Sequence, residues 1–390
     1  MSITPDDYYS PQEWEQFRAE ARLHQTPFVV VNLGIIKRKY EELVRLFPYA
    51  KVYYAVKANP AKEVVSLLRD LGSCFDIASV YELDMLLDLG VDPSRLSFGN
   101  TIKKAADIKY AYDRGVRLFA TDSLPDIENL AKYAPGADVF FRILTEGAAT
   151  AEWPLSRKFG CHPDILLSEI ILARSLGLHP VGISFHVGSQ QRDVGAWDSA
   201  IAKASYLFGC SQEEDIPLHL INMGGGFPAH YLMSNTYSIE TYAKEITQYL
   251  KDNFGNSLPQ VILEPGRSLV AESGILVTEV IMVTRKSRHS IDKWLYTDTG
   301  VFNGLTETLE ESIKFPIYCE ADGDDSENYI IAGPTCDSMD VMYEKFRVPL
   351  PAKVTSGDRL YWLTAGAYTT SYCAVGFNGF PPLKTYYTKE

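Results

Sequence analysis

The chain has 390 residues, 46% hydrophobic and 22% charged, which is enough for a large core and for two domains of an ordinary globular protein. A formal net charge of −13 disfavours nucleic acid and anionic membrane surfaces and favours the approach of a small cation. Six cysteines, at 74, 161, 210, 319, 336 and 373, form no C-x-x-C pair and no zinc-ligand spacing, so neither a disulfide framework nor a metal centre is expected.

The start Met1-Ser2-Ile3-Thr4-Pro5-Asp6-Asp7 lacks a basic or apolar leader, and no apolar run approaches the ~20 residues of a membrane span. A cytoplasmic location is the expectation. Phe28-Val29-Val30-Val31 predicts a first strand. Eight further apolar runs then alternate with helical patterns: Val52 to Lys57, Phe75 to Ser79, Leu96 to Gly99, Leu118 to Thr121, Val139 to Ile143, Gly182 to His186, Leu220 to Met223 and Val261 to Glu264. Eight alternating units imply an α/β fold with a closed (β/α)8 barrel.

The segments between these runs carry helix periodicity, as in Val64, Val65, Leu67, Leu68 and Leu71, or Ile165, Leu166, Ile170, Ile171, Leu172 and Leu176. Gly72, Gly90, Gly115, Gly177, Gly209 and Gly255 suit the left-handed position past a helix end, and Asn59-Pro60 reads as a cap and first helical residue. After Arg267 the pattern turns to Val- and Tyr-rich runs, at Gly274 to Thr284, Lys293 to Thr297, Tyr329 to Ala332 and Arg359 to Thr364. A second, mostly antiparallel β domain is expected there. The boundaries drawn are 27–266 for the barrel, and 1–26 with 267–390 for the β domain. The acidic stretch Asp322 to Glu327 reads as a solvated hairpin tip.

Lys57 ends the first barrel run. An exposed lysine is its plainer reading when it is taken alone. At the carboxyl end of a barrel strand, desolvation would instead favour a neutral amine able to form a Schiff base. Gly224, Gly225 and Gly226 follow the seventh run and Arg267 follows the eighth, where barrels commonly hold a phosphate. Glu264 could keep a pyridine nitrogen protonated, and His186, ending the sixth run, points into the same mouth.

Together these motifs resemble the ornithine decarboxylase group of fold type III pyridoxal-phosphate enzymes, the class of Orn/Lys/Arg decarboxylases on an alanine racemase-like barrel. The resemblance rests on Val-Tyr-Tyr-Ala-Val-Lys57-Ala-Asn-Pro, Phe75-Asp76-Ile-Ala-Ser79, Phe185-His186-Val-Gly-Ser189, Gly224-Gly-Gly226-Phe-Pro, Glu264-Pro-Gly-Arg267 and Gly333-Pro-Thr-Cys336-Asp337-Ser-Met-Asp340, running from about Pro27 to the end. It implies that Lys57 carries pyridoxal 5′-phosphate. Ser189, Gly224, Gly225, Gly226, Gly266, Arg267 and Tyr368 would form the phosphate end, with His186 on the ring, Glu264 at its nitrogen, and Asp76 and Arg142 nearby.

The same resemblance makes Cys336 the proton donor after decarboxylation and Asp337 the acceptor of the substrate's distal ammonium, with Phe377 beside it. Where animal ornithine decarboxylases place a Tyr-Asp pair near the substrate's far end, this chain departs and reads Phe302 to Glu307, and Glu307 is the expected replacement for the aspartate, with a longer arm. Both Cys336 and Asp337 would act across a homodimer interface, with Lys158 and Asp340 as an intersubunit ion pair. The implied reaction converts ornithine and/or lysine to putrescine or cadaverine, as in polyamine biosynthesis. Asp337, where diaminopimelate decarboxylases carry Glu, favours a basic amino-acid substrate, and Glu264 argues against a racemase. Arginine or diaminopimelate decarboxylase, a Schiff-base aldolase, and a non-catalytic regulator like the antizyme inhibitors are the alternatives.

Overall fold

The computed structural model describes residues 3–145, 150–153, 158–232, 237–321 and 325–389. Part of the acidic stretch (322–324) lies outside the described residues, as do 146–149 and 154–157. The chain divides into two units: Met1–Arg38, Ala229–Asn235 and Arg267–Glu390 form one, and Lys39–Pro228 with Thr236–Gly266 the other. The expected boundary at residue 27 therefore moves, because the first strand belongs with the β unit. Among the described residues no helix is long and apolar enough to cross a membrane.

In the β unit a capping box closes the start of helix α1 (Pro11–Ala21), with Ser10 and Glu13 bonded reciprocally. Strand β1 (Phe28–Asn32) follows, then helix α2 (Leu33–Leu46), whose residues from Lys39 on belong to the other unit. All five β1 residues are buried, because β1 lies in a sheet with a neighbour on each side.

The second unit is the barrel. Its strands are β2 (Ala50–Ala55), β3 (Cys74–Ile77), β4 (Leu96–Phe98), β5 (Leu118–Thr121), β6 (Asp138–Arg142), β8 (His179–Ser184), β10 (Leu220–Asn222) and β11 (Gln260–Leu263). They close in that order, every neighbour parallel, with β11 returning to β2. Tyr53, Ala120, Phe140, Val181, Leu220 and Ile262, one each from six of these strands, pack into a common core. A short pair outside the barrel, β7 (Ala151–Trp153) against β9 (Ser189–Gln191), anchors Ser189.

The crossovers are α3 (Lys62–Asp70), α4 (Val80–Asp88), α5 (Ala105–Asp113), α6 (Leu124–Tyr133), α7 (Pro163–Ser175), α8 (Gly195–Glu213) and α9 (Ile239–Phe254). In α3 the buried face is Val64, Val65 and Leu68, one turn apart, and the helix ends before Gly72 at φ 93°. Gly90, Gly115, Gly177 and Gly255 also take positive φ. Gly209 does not end a helix; it lies inside the long α8. The strand read as Phe75 to Ser79 stops at Ile77, because the Ser79 hydroxyl caps α4 by accepting from the Glu82 amide.

In the β unit the short helix α10 (Arg267–Val270) leads into β12 (Gly274–Thr284), β13 (Lys293–Thr297), β14 (Ile317–Cys319), β15 (Ser326–Ala332), β16 (Val341–Pro351), β17 (Arg359–Trp362) and β18 (Lys384–Thr388). The sheet runs β14-β17-β12-β13-β15-β16, and β1 pairs antiparallel with β12 and parallel with β18. Phe17, Phe28, Val30, Ile275, Val277 and Tyr361 share its core. Burial of each such side chain contributes about 1.5–3 kcal/mol.

Candidate active site

Strand β2 ends at Ala55, and Val56–Ala58 form a single 3-10 turn that carries Lys57 past the carboxyl end of the strand. The turn is held by a neighbouring run: the Ala55 amide donates to Pro265 O (3.1 Å). A Cβ on Gly266 would stand 3.0 Å from that of Ala58, so the Glu264-Pro-Gly run passes close beside the lysine turn. The Lys57 side chain is exposed rather than desolvated by protein, which corrects the expectation from the strand end. Its charge still reaches the site, pulling down the pKa values of Asp76, Glu82 and His186. Asn59 is not a helix cap. Its Oδ1 accepts from the Ala61 amide (3.2 Å), its carbonyl accepts from the Tyr54 hydroxyl (3.0 Å), and α3 starts only at Lys62.

Three charged groups from the ends of three strands influence one another. Asp76, in β3, is 7% exposed, and its Oδ1 has no hydrogen-bond partner among the described residues. Burial holds its carboxyl well above the ordinary range and the charge of Glu264 adds to this, while Lys57 and Arg142 oppose it. Arg142, ending β6, lies 4.8 Å over the Phe159 ring. Burial lowers the pKa of its guanidinium against the pull of Glu264, Asp122 and Asp76. Glu264 follows β11 and is oriented by Asn222, whose Nδ2 donates to Oε1 at 2.5 Å. No local signal marked Asn222 in the sequence.

His186 is half-buried after β8, its Nδ1 accepting from the Gly188 amide at 2.9 Å. Burial, then the charges of Arg142 and Lys57, lower its pKa to about 3, so the ring is neutral at ordinary pH. Beside it runs the glycine triplet. A Cβ would come to 2.5 Å from Phe185 O at Gly224, 2.6 Å from Glu264 O at Gly225 and 2.6 Å from Gly188 O at Gly226, and Gly224 and Gly226 have positive φ. Only glycine fits, and the backbone stays open to a close approach. Ser189 stands at the start of β9.

In the β unit, Arg267 and Glu307 are each 4% exposed and paired end-on, Nη1 to Oε2 and Nη2 to Oε1, both 2.6 Å. Arg267 also donates to the Tyr231 hydroxyl (3.0 Å) and lies 4.8 Å over the Tyr368 ring, where Tyr368 takes φ 58°. Glu307 therefore serves as the counter-ion of Arg267, which corrects the expectation of a substrate contact. Asp340 is also corrected. It is 2% exposed and its carboxylate accepts from Val301 N (2.8 Å), Thr335 N (3.0 Å) and Thr335 Oγ1 (2.7 Å), leaving no outward group for an intersubunit ion pair. Lys158 lies 5.0 Å over the ring of Phe159 in the barrel unit.

Anchored by Asp340, the run Cys336 to Met339 projects outward and is exposed. The Cys336 amide donates to Asn378 Oδ1 (3.0 Å), and the Met339 amide donates to Asp337 Oδ1 (2.8 Å). Phe377, next to Asn378, packs on Phe302 at 4.7 Å.

Residues 33–271 match the family model described as the pyridoxal binding domain of pyridoxal-dependent decarboxylases. The lysine/ornithine decarboxylase of Selenomonas ruminantium is 34% identical over 94% of this chain and 90% of its own length. The ornithine decarboxylase of Caenorhabditis elegans is 32% identical over 94% of this chain and 88% of its own. The structure of a Vibrio vulnificus lysine/ornithine decarboxylase complexed with cadaverine superposes with a TM-score of 0.87, at 28% identity over 98% of this chain and all of the other. The orphaned Asp76 oxygen, the neutral His186 ring and the glycine cradle suit a phosphate-bearing heteroaromatic ring with an aldehyde for Lys57. By sequence and by fold, this chain belongs to the pyridoxal-dependent decarboxylases.

Proposed function

We propose that this chain decarboxylates a basic L-amino acid, ornithine and/or lysine, to its diamine. The observation that carries the reading is the convergence of Lys57, Asp76, His186, Glu264 and the Gly224–Gly226 cradle at the carboxyl ends of one set of barrel strands. Pyridoxal phosphate, when bound, supplies the electron sink that lets the Cα–carboxyl bond break.

The residue roles are those the family resemblance implies, and the chemistry of each side chain suits its role. Lys57 would hold the cofactor through its aldehyde carbon. Glu264 would keep a proton on the ring nitrogen, and His186, neutral, would cover a ring face. The cradle amides and Ser189 take phosphate oxygens. Carbon dioxide leaves, and the Cys336 thiol gives its proton to Cα, completing an exchange of carboxylate for hydrogen. Asp337 receives the distal ammonium. Exposure of the whole Cys336 to Met339 run supports a homodimer in which each copy supplies this loop to the other, without the Lys158–Asp340 pair. Six free cysteines accord with a cytoplasmic location.

Lysine and ornithine differ by one methylene, worth about 1–3 kcal/mol in a pocket. Product analysis with lysine, ornithine, arginine and diaminopimelate in parallel tests the reading. Cadaverine or putrescine is the expected main product. Agmatine from arginine, lysine from diaminopimelate, or no carbon dioxide from any of them would contradict it.

A further inference from the structure

Asn222 is the last residue of β10 and is wholly buried. Its backbone is fixed by barrel neighbours on both sides, Ile262 on β11 and Ser184 on β8. Its side chain bridges two groups that the sequence places 40 residues apart. Oδ1 accepts from the Gly224 amide at 2.9 Å, and Nδ2 donates to Glu264 Oε1 at 2.5 Å. The orientation of the amide is settled by its partners: a backbone N–H can only donate, so the oxygen must face Gly224, and the NH2 is left for the carboxylate. Main chain closes the loop, since the Glu264 amide donates to Gly224 O at 2.8 Å.

We propose that Asn222 is a positioning residue that ties the carboxylate serving the ring nitrogen to the amide of the phosphate-binding glycines, so that the two ends of pyridoxal phosphate are registered through one side chain. The inference rests on the reading of Glu264 and Gly224 given above. A glutamate side chain has three torsions to fix, and a short hydrogen bond to one oxygen fixes the plane of the carboxylate while leaving the other oxygen for the ring. An amide accepts from Gly224 and donates to Glu264 at once without itself titrating. A serine is too short to span both, and an aspartate meets Glu264 with a second carboxylate.

The test is a double-mutant cycle on the full chain, with N222S, E264Q and the double variant, measuring affinity for pyridoxal 5′-phosphate, for pyridoxal and for inorganic phosphate. In the parent background N222S should weaken pyridoxal phosphate and pyridoxal about 10- to 100-fold, the usual worth of a hydrogen bond to a charged group. In the E264Q background the loss on pyridoxal should shrink to about two-fold or less, because the group Asn222 acts through is already altered, while the loss on phosphate should persist. Equal losses in both backgrounds would overturn the inference and leave the site reading standing. E264Q binding pyridoxal like the parent would overturn the reading of Glu264 and the inference with it. Should N222S not fold, N222D carries the test, since it keeps the acceptor for Gly224. Its affinity for pyridoxal should fall with rising pH more steeply than the parent's, as the proton shared with Glu264 is lost. A profile matching the parent's would overturn the proposal.

Discussion

Arg267 and Glu307 form a buried, end-on ion pair with two 2.6 Å hydrogen bonds. Burial works to lower the pKa of the guanidinium, but the charge of Glu307 outweighs it and holds the value well above normal. Such a pair adds little net stability when intact, yet is costly to break, because the survivor is a buried uncompensated charge. Glu307→Ala should therefore cost about 3–5 kcal/mol. Glu307→Gln, which keeps one acceptor, should cost less. Thermal unfolding of the two variants without added cofactor checks the order; equal and small shifts would contradict it.

Asp76 sits in the opposite condition, a carboxylate without a hydrogen bond on Oδ1 and with Glu264 raising its pKa further. Because the folded-state pKa lies above the unfolded one, the folded protein binds more protons between the two values. The group's contribution is favourable in acid and is lost as pH rises through the folded pKa. Asp76→Asn should therefore raise the unfolding free energy of the cofactor-free protein at pH 8, by an amount on the order of 1–3 kcal/mol, and the gain should shrink toward pH 4. Affinity for pyridoxal phosphate should fall in the same variant. Destabilisation at every pH would count against a functional cost at this site.

His186 titrates the other way. Its folded pKa, about 3, lies below the usual 6.5, so the unfolded chain takes up a proton that the folded chain refuses. That contribution to stability is full above about 6.5 and is lost as pH falls toward 3. His186→Phe should flatten this part of the acid-unfolding profile. An unchanged slope between pH 6 and 4 would contradict the neutral ring.

Asp340 organises the loop that carries Cys336. Removing its three accepted hydrogen bonds by Asp340→Ala should cost about 2–4 kcal/mol. It should also shift products toward misprotonated by-products of decarboxylation. Cys336→Ala should shift products in the same direction without the loss of stability, since Cys336 is exposed. A clean diamine product from Cys336→Ala would remove the thiol from the reaction.

The barrel was legible because its strands, covered on both faces, read as short continuous apolar runs with helix periodicity between them. The ends were less so: Ser79 belongs to a helix cap and Lys57 to a 3-10 turn, decisions made by local hydrogen bonds. Strand β16 hides behind Glu344, Lys345, Arg347 and two prolines, Pro349 and Pro351, a composition tolerated at the end of a sheet. The partner of Glu307, Arg267, lies 40 residues away and leaves no local mark, while Asp340 joins Thr335, five residues before it, to Val301, 39 residues away, and only the first of these is near in sequence. Asn222 was missed for the same reason. The glycine triplet and Lys57 stood out because their roles depend on backbone shape and position in the strand order.

The most direct test of the account is the identity of the amine that holds pyridoxal phosphate. The protein is loaded with the cofactor, treated with borohydride to fix the linkage, digested, and the labelled peptide sequenced by mass spectrometry. The account predicts a single modified residue, Lys57, and no stoichiometric label or visible absorbance in Lys57→Ala. Stoichiometric label on another lysine, such as Lys51 or Lys103, with Lys57→Ala still coloured, would contradict it.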